Sequence, residues 1–243
     1  MRWKCSCSYD GTDFTGWQTQ SGGGSVQNAI CEALAEIFKT EVGIYGSGRT
    51  DAGVHAMEQV FHFDFDWPHG PVAMLRAMRS RFPEQISPLY VELVEDDFHA
   101  RFSARSKLYQ YRLYQGNPSP IDYRYCWPLR ESLDLQAIAS AIPLFEGKLD
   151  FAAFAANRGI EYESTTRHLT RAEMTMDDCL ILLRFEADGF MYKMVRSLVG
   201  TLINIGLGRL SEADLAELLD SGKRSPFVYA APAKGLFLEK VYY

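Results

Sequence analysis

The stretch Gly46-Ser47-Gly48-Arg49-Thr50-Asp51-Ala52-Gly53-Val54-His55 gathers three glycines around one arginine, one aspartate and one histidine. Asp51 is its only carboxylate, and Arg49 stands two residues away. A carboxylate on a loop can attack a carbon or take up a proton, and a guanidinium beside it can bind phosphate or pair with it. The glycines let the backbone take positive φ and approach a ligand closely. Two readings stand: a turn closed by an Arg49–Asp51 ion pair, or a loop that presents Asp51 to a substrate. His55 reads as a hydrogen-bonding residue of the loop rather than as a base.

A second stretch points to a polyanion. Between Arg101 and Arg130 lie six basic residues (Arg101, Arg105, Lys107, Arg112, Arg124, Arg130) against one acid, Asp122. Tyr109, Tyr111, Tyr114, Tyr123 and Tyr125 are interleaved with them. Cations mixed with aromatic rings can hold a nucleic-acid backbone and stack on its bases. A solvated strand face beside a tyrosine-rich core has the same composition, and both readings stay open. Arg196 on an apolar helical stretch is harder to explain as surface, because a buried guanidinium needs a partner.

Other chemistry is poorly supported. The net charge is −6, which counts against a nucleic-acid partner only if charge is averaged over the whole chain. Five cysteines (Cys5, Cys7, Cys31, Cys126, Cys179) are scattered without a C-x-x-C pair, and the histidines lack metal-ligand spacing, so no metal is expected. Gly22-Gly23-Gly24 lacks the G-K-[ST] of a phosphate loop. Asp64-Phe65-Asp66 would suit an aspartyl phosphotransferase, but Pro68 stands where that chemistry wants a hydroxyl, and the segment reads as a strand face. No run of 18 apolar residues suggests a membrane span, and the first residues alternate rather than form a signal peptide. A cytoplasmic location without membrane contact is the expectation.

The elements that must hold these residues follow from periodicity. Trp3, Cys5, Cys7 and Tyr9 alternate with polar residues and predict a first strand ending at Asp10-Gly11. Ser25 caps a helix whose buried stripe is Val26, Ile30, Ala33, Leu34, Ile37 and Phe38. Glu41 to Tyr45 predicts a short strand, and Phe61, Phe63 and Phe65 predict a strand with one buried face. A helix over Val72 to Phe82, ended by Pro83, and a strand over Ile86 to Val94 complete a β-α-β-β-α-β half. The second half predicts a strand over Lys107 to Tyr114, a loop over Gly116 to Pro120 and a helix marked by Leu135, Ile138 and Ile142. A hairpin turning at Asp177-Asp178, an apolar helix over Tyr192 to Ile205, a short helix capped by Ser211 and a closing strand over Gly235 to Tyr243 follow. The expected fold is α+β: two ferredoxin-like halves, 1–104 and 105–243, sharing a mixed, largely antiparallel sheet with a central cleft.

Taken with Gly16-Trp17-Gln18-x-Gln20, Ser25-Val26-Gln27, Phe98-His99-Ala100-Arg101-Phe102-Ser103-Ala104, Tyr109-x-Tyr111, Met194-Val195-Arg196 and Ala231-Pro232-x-x-Gly235-Leu236, the loop at 46–55 resembles the TruA family of tRNA pseudouridine synthases. The resemblance runs in order along nearly the whole chain. It implies a homodimer that works without a cofactor and isomerises uridines at positions 38–40 of the tRNA anticodon stem-loop. It assigns the catalytic carboxylate to Asp51, acting on a flipped-out uridine. It gives Arg49 the gap that the flipped base leaves and Tyr109 the place beneath the base, with Arg196, Arg101 and Lys107 binding substrate. Arg79 stands where the family usually has asparagine, and Lys107 where arginine is common; the two cations differ at a bidentate phosphate contact. A non-enzymatic alternative is a tRNA-binding or RNA-chaperone module of the same fold that has lost catalysis.

Overall fold

Strict alternation places Trp3, Cys5 and Cys7 fully inside one face of β1 (Arg2–Tyr9). The computed structural model describes residues 1–156, 159 and 162–243. Within it the chain divides into two compact units, residues 1–105 with 237–243, and residues 106–236.

In the first unit, β1 is followed by α1 (Val26–Phe38), β2 (Tyr45–Gly46), β3 (His55–Asp64), α2 (Gly70–Arg81) and β4 (Ile86–Val94). The order is the β-α-β-β-α-β that the periodicity predicts. β1 pairs antiparallel with β3 and with β4. The opposite edge of β3 takes β2 antiparallel at its far end. At its near end that edge is parallel to the C-terminal strand, at Phe237↔His55 and Leu238↔Ala56. Ser25 caps α1 by accepting the Asn28 N–H at 3.1 Å, and Val26, Ile30, Ala33 and Leu34 form the buried stripe. Two expectations need correction. The strand expected over 41–45 shrinks to Tyr45–Gly46, because only these two residues find partners on β3. β3 is buried on both faces rather than one: His62, opposite the phenylalanine row, is 2% exposed and accepts the Ala100 N–H at 3.2 Å.

In the second unit the antiparallel order is β5 (Ser106–Gln115), β9 (Leu180–Ala187), β8 (Thr166–Asp177) and β7 (Gly147–Asp150), with β6 (Trp127–Leu129) parallel to β5. The helices are α3 (Pro120–Arg124), α4 (Leu135–Ala141), α5 (Met194–Gly206) and α6 (Glu212–Ser221); the C-terminal strand of the first unit is β10 (Leu236–Tyr242). β9 alternates cleanly, with Ile181, Leu183, Phe185 and Ala187 fully buried. The loop expected at 116–120 ends in α3, because Ser119 caps it and Pro120 supplies a preset φ at the first helical position. α5 is buried at every position except Arg196, the pattern of a helix enclosed in a core.

Candidate active site

The loop of residues 46–55 is held from four directions. Ser47 donates its N–H to Val60 O at 2.7 Å and its hydroxyl to Gln59 Oε1 at 2.6 Å, while Gln59 Nε2 returns to Gly48 O at 3.2 Å. The buried hydroxyls of Tyr9 and Thr50 lie 2.8 Å apart. Trp17 gives its N–H to Thr50 O at 3.0 Å, and its indole lies so close to Gly46 that a Cβ there would sit 2.5 Å from Nε1. Gly11 and Gly16 are equally forced: a Cβ on Gly11 would meet Val54 O at 2.0 Å, and one on Gly16 would meet Thr50 O at 2.8 Å. The Asp10-Gly11 and Gly16-Trp17 segments are therefore a clamp on this loop, a role that periodicity alone does not reveal.

Within the clamp the chain makes one tight turn. Val54 N–H bonds to Asp51 O at 3.1 Å, and Gly53 in its third position has φ +75°, which a side chain rarely tolerates. His55, 1% exposed, closes the frame as the loop reading expects: its Nδ1 lies 3.1 Å from both the Gly11 N–H and the Asp10 carboxylate, and its ring stacks on Phe237 at 4.7 Å. Asp51 is half-buried at the start of the turn and Arg49 is exposed.

In the second unit, Tyr109 and Tyr111 point to one face of β5, two residues and roughly 7 Å apart. Tyr109 is 7% exposed and meets Phe190 edge-on at 5.1 Å. Tyr111 donates its hydroxyl to Pro232 O at 2.8 Å, and burial pushes that hydroxyl's pKa well up, so it stays a neutral donor. Arg196, half-buried on α5, donates Nε to Ala231 O at 2.7 Å and accepts the Ala231 N–H at its own carbonyl at 3.0 Å. Strand and helix thus converge on the Ala231-Pro232 segment. Gly235 completes the join, since a Cβ there would lie 2.8 Å from the Tyr111 ring. Lys107 is half-buried at the start of β5.

Arg101 lies elsewhere in the first unit, exposed in the segment that follows β4. Arg79 is occupied by its own fold, donating to Pro88 O at 3.2 Å and Leu89 O at 3.4 Å, which ties α2 to β4. No group of three or more His, Cys, Asp or Glu side chains among the described residues could hold a metal ion. No helix among the described residues is long and apolar enough to cross a membrane.

A family profile described as tRNA pseudouridine synthase matches residues 6–103 and 141–243. The chain is similar to tRNA pseudouridine synthase A of Thermodesulfovibrio yellowstonii, 40% identical over 250 residues that cover 99% of this chain and 98% of the relative. It is 39% identical over 245 residues to tRNA pseudouridine synthase A of Geobacillus kaustophilus, covering 100% of this chain and 95% of that one. The protein of the same name from Latilactobacillus sakei is 38% identical over 247 residues, covering 100% and 99%. These full-length matches include the stretch with Lys107 and Tyr109 that the profile leaves out.

Proposed function

Because the chain belongs to the tRNA pseudouridine synthase family and is an isomerase of that class, we propose that it converts uridine to pseudouridine in the anticodon stem-loop, at positions 38–40, through Asp51. The reaction breaks the N1–C1′ bond, turns the uracil, joins C5 to C1′, releases the C5 proton and leaves a proton on N1. Nothing is oxidised or reduced, and no external group is transferred. One carboxylate suffices, either attacking the base or acting at the ribose, provided that water is kept away.

The observation that carries this reading is the clamped turn. It holds one half-buried carboxylate by backbone bonds and leaves the guanidinium two residues away exposed. Extracting the base costs on the order of a few kcal/mol, which a side chain filling the vacated stack offsets. Arg49 takes that role. Tyr109 stacks on the extracted uracil, and Arg196, Arg101 and Lys107 bind the surrounding substrate. The active species is a homodimer, for which sedimentation of the purified protein at the assay concentration is the check.

The decisive assay uses tRNA carrying tritium at uridine C5. The wild type releases label, and Asp51→Asn lowers release by roughly 10²–10⁴-fold or more while tRNA binding survives. Turnover that persists in Asp51→Asn would remove this carboxylate from the mechanism. No release by the wild type from any tRNA would instead favour a binding module without catalysis.

A further inference from the structure

Four rings meet at the surface of the first unit, away from the clamped turn. Tyr45 stacks on His62 with centroids 5.1 Å apart and 21° between the planes, and lies 5.8 Å from His99. His62 meets His99 edge-on at 4.7 Å, and His99 lies 4.4 Å from Phe102. The inner pair is fixed by the backbone: His62 Nδ1 accepts the Ala100 N–H at 3.2 Å, and His99 Nδ1 accepts the Arg101 N–H at 3.1 Å. An imidazole that accepts at Nδ1 is neutral with its proton on Nε2, and burial lowers the pKa of both rings. The outer pair is open, Phe102 being 76% and Tyr45 59% exposed. Arg101, also exposed, holds its guanidinium carbon 5.6 Å from the Phe102 ring.

A phenylalanine facing water on three quarters of its surface, braced by rigid neutral rings, is a bare stacking face. With a guanidinium beside it, the ligand that matches is an unpaired nucleobase whose phosphate meets the cation. We propose that Tyr45 and Phe102 form a stacking platform for an unpaired base of the tRNA substrate, with Arg101 holding the adjacent phosphate. The inference rests on the reading that the chain acts on tRNA.

The platform holds a different nucleotide from the one isomerised. Tyr45 pairs with His62, while the Asp51 turn leads into His55 at the opposite end of the same strand. His62 lies seven positions along the strand from His55, roughly 23 Å. The platform is thus a second grip on the RNA, a strand's length from the end of the loop that carries Asp51.

The test measures binding and turnover together on the full chain. A tRNA transcript with uridines at 38–40, labelled at its 3′ end with fluorescein, is titrated by anisotropy, and tritium release is followed on the same sequence. Phe102→Ala and Tyr45→Ala each weaken binding at least fivefold and raise KM by a similar factor, with kcat falling less than KM rises. Phe102→Trp restores affinity, and its added indole emission is quenched by the RNA. Wild-type affinity in both alanine variants, with the wild type releasing label, overturns the platform and leaves the catalytic reading intact. Failure of the wild type to release label overturns that reading separately. If Phe102→Ala shifts the sedimentation of the protein while RNA affinity stays unchanged, the rings are a contact between copies of this chain, and the proposal falls.

Discussion

At the scale of single residues, the clamped turn shows how a polar core is used. The hydroxyls of Tyr9 and Thr50 satisfy each other, and Ser47, Gln59 and the Gly48 carbonyl form a short chain of bonds beneath the turn. Each such group would cost about 1–3 kcal/mol if buried without a partner, so the loop has few alternative arrangements. His62 illustrates the same economy with a measurable consequence. Burial first, then His99 and Arg2, lower its pKa from 6.5 to about 4, while Asp64 acts in the opposite sense. The folded ring stays neutral where the unfolded one takes up a proton. Its stabilising contribution is therefore full above pH 6.5 and is lost as pH falls toward 4. Between pH 7 and pH 5 this amounts to about 2 kcal/mol. Urea unfolding at the two pH values checks it: His62→Gln, which keeps an acceptor for the Ala100 N–H, loses less stability than the wild type. Equal losses would show that His62 is not the titrating group.

At the scale of elements, α5 positions Arg196 by close approach rather than by side-chain bulk. A Cβ at Gly200 would lie 2.1 Å from Tyr229 O, so helix and incoming segment touch through backbone. Helix propensity alone would make Gly200→Ala favourable by about 1 kcal/mol. The clash is with backbone that cannot swing aside, and overpacking of this kind costs about 1–3 kcal/mol. The expected net result is a lower urea midpoint, together with a fall in tRNA turnover because the paired Arg196–Ala231 bonds lie one turn away. A variant as stable and as active as the wild type would show that the approach is not restrictive. What the sequence made legible divides along the same physical line. α1, β3, β4, β5, β9 and α5 are long enough for period 3.6 or period 2 to show, and Ser25 and Ser211 announce their helices through capping chemistry. α3, β6 and β7 have five, three and four residues, too few for a period. The 46–55 loop was conspicuous because glycine and charge coincide there. The grip of Gly11 and Trp17 on it was not, since a contact between distant segments leaves no local pattern. The exposed faces of Tyr45 and Phe102 were hidden for the opposite reason: by type both residues belong to a core.

At the scale of the whole molecule, the charge balance sets how the protein meets its substrate. A net charge of −6 opposes approach to a polyanion. At physiological salt, however, the screening length is about 8 Å, so acids farther than that from a bound phosphate contribute little. Binding must then come from a few local cations, and Arg101 and Lys107 both lie outside the clamped turn. Each phosphate neutralised on single-stranded RNA adds about 0.7 to the steepness with which log affinity falls against log salt. Titrating labelled tRNA between 50 and 300 mM KCl therefore gives a shallower slope for Arg101→Gln and for Lys107→Gln, by about 0.7 each, with weaker affinity at the lowest salt. Asp51→Asn removes a negative charge and releases no counterion from the RNA, so its slope matches the wild type. Slopes unchanged in both basic variants would place the phosphate contacts on other residues and would leave Arg101 only its contact with the Phe102 ring.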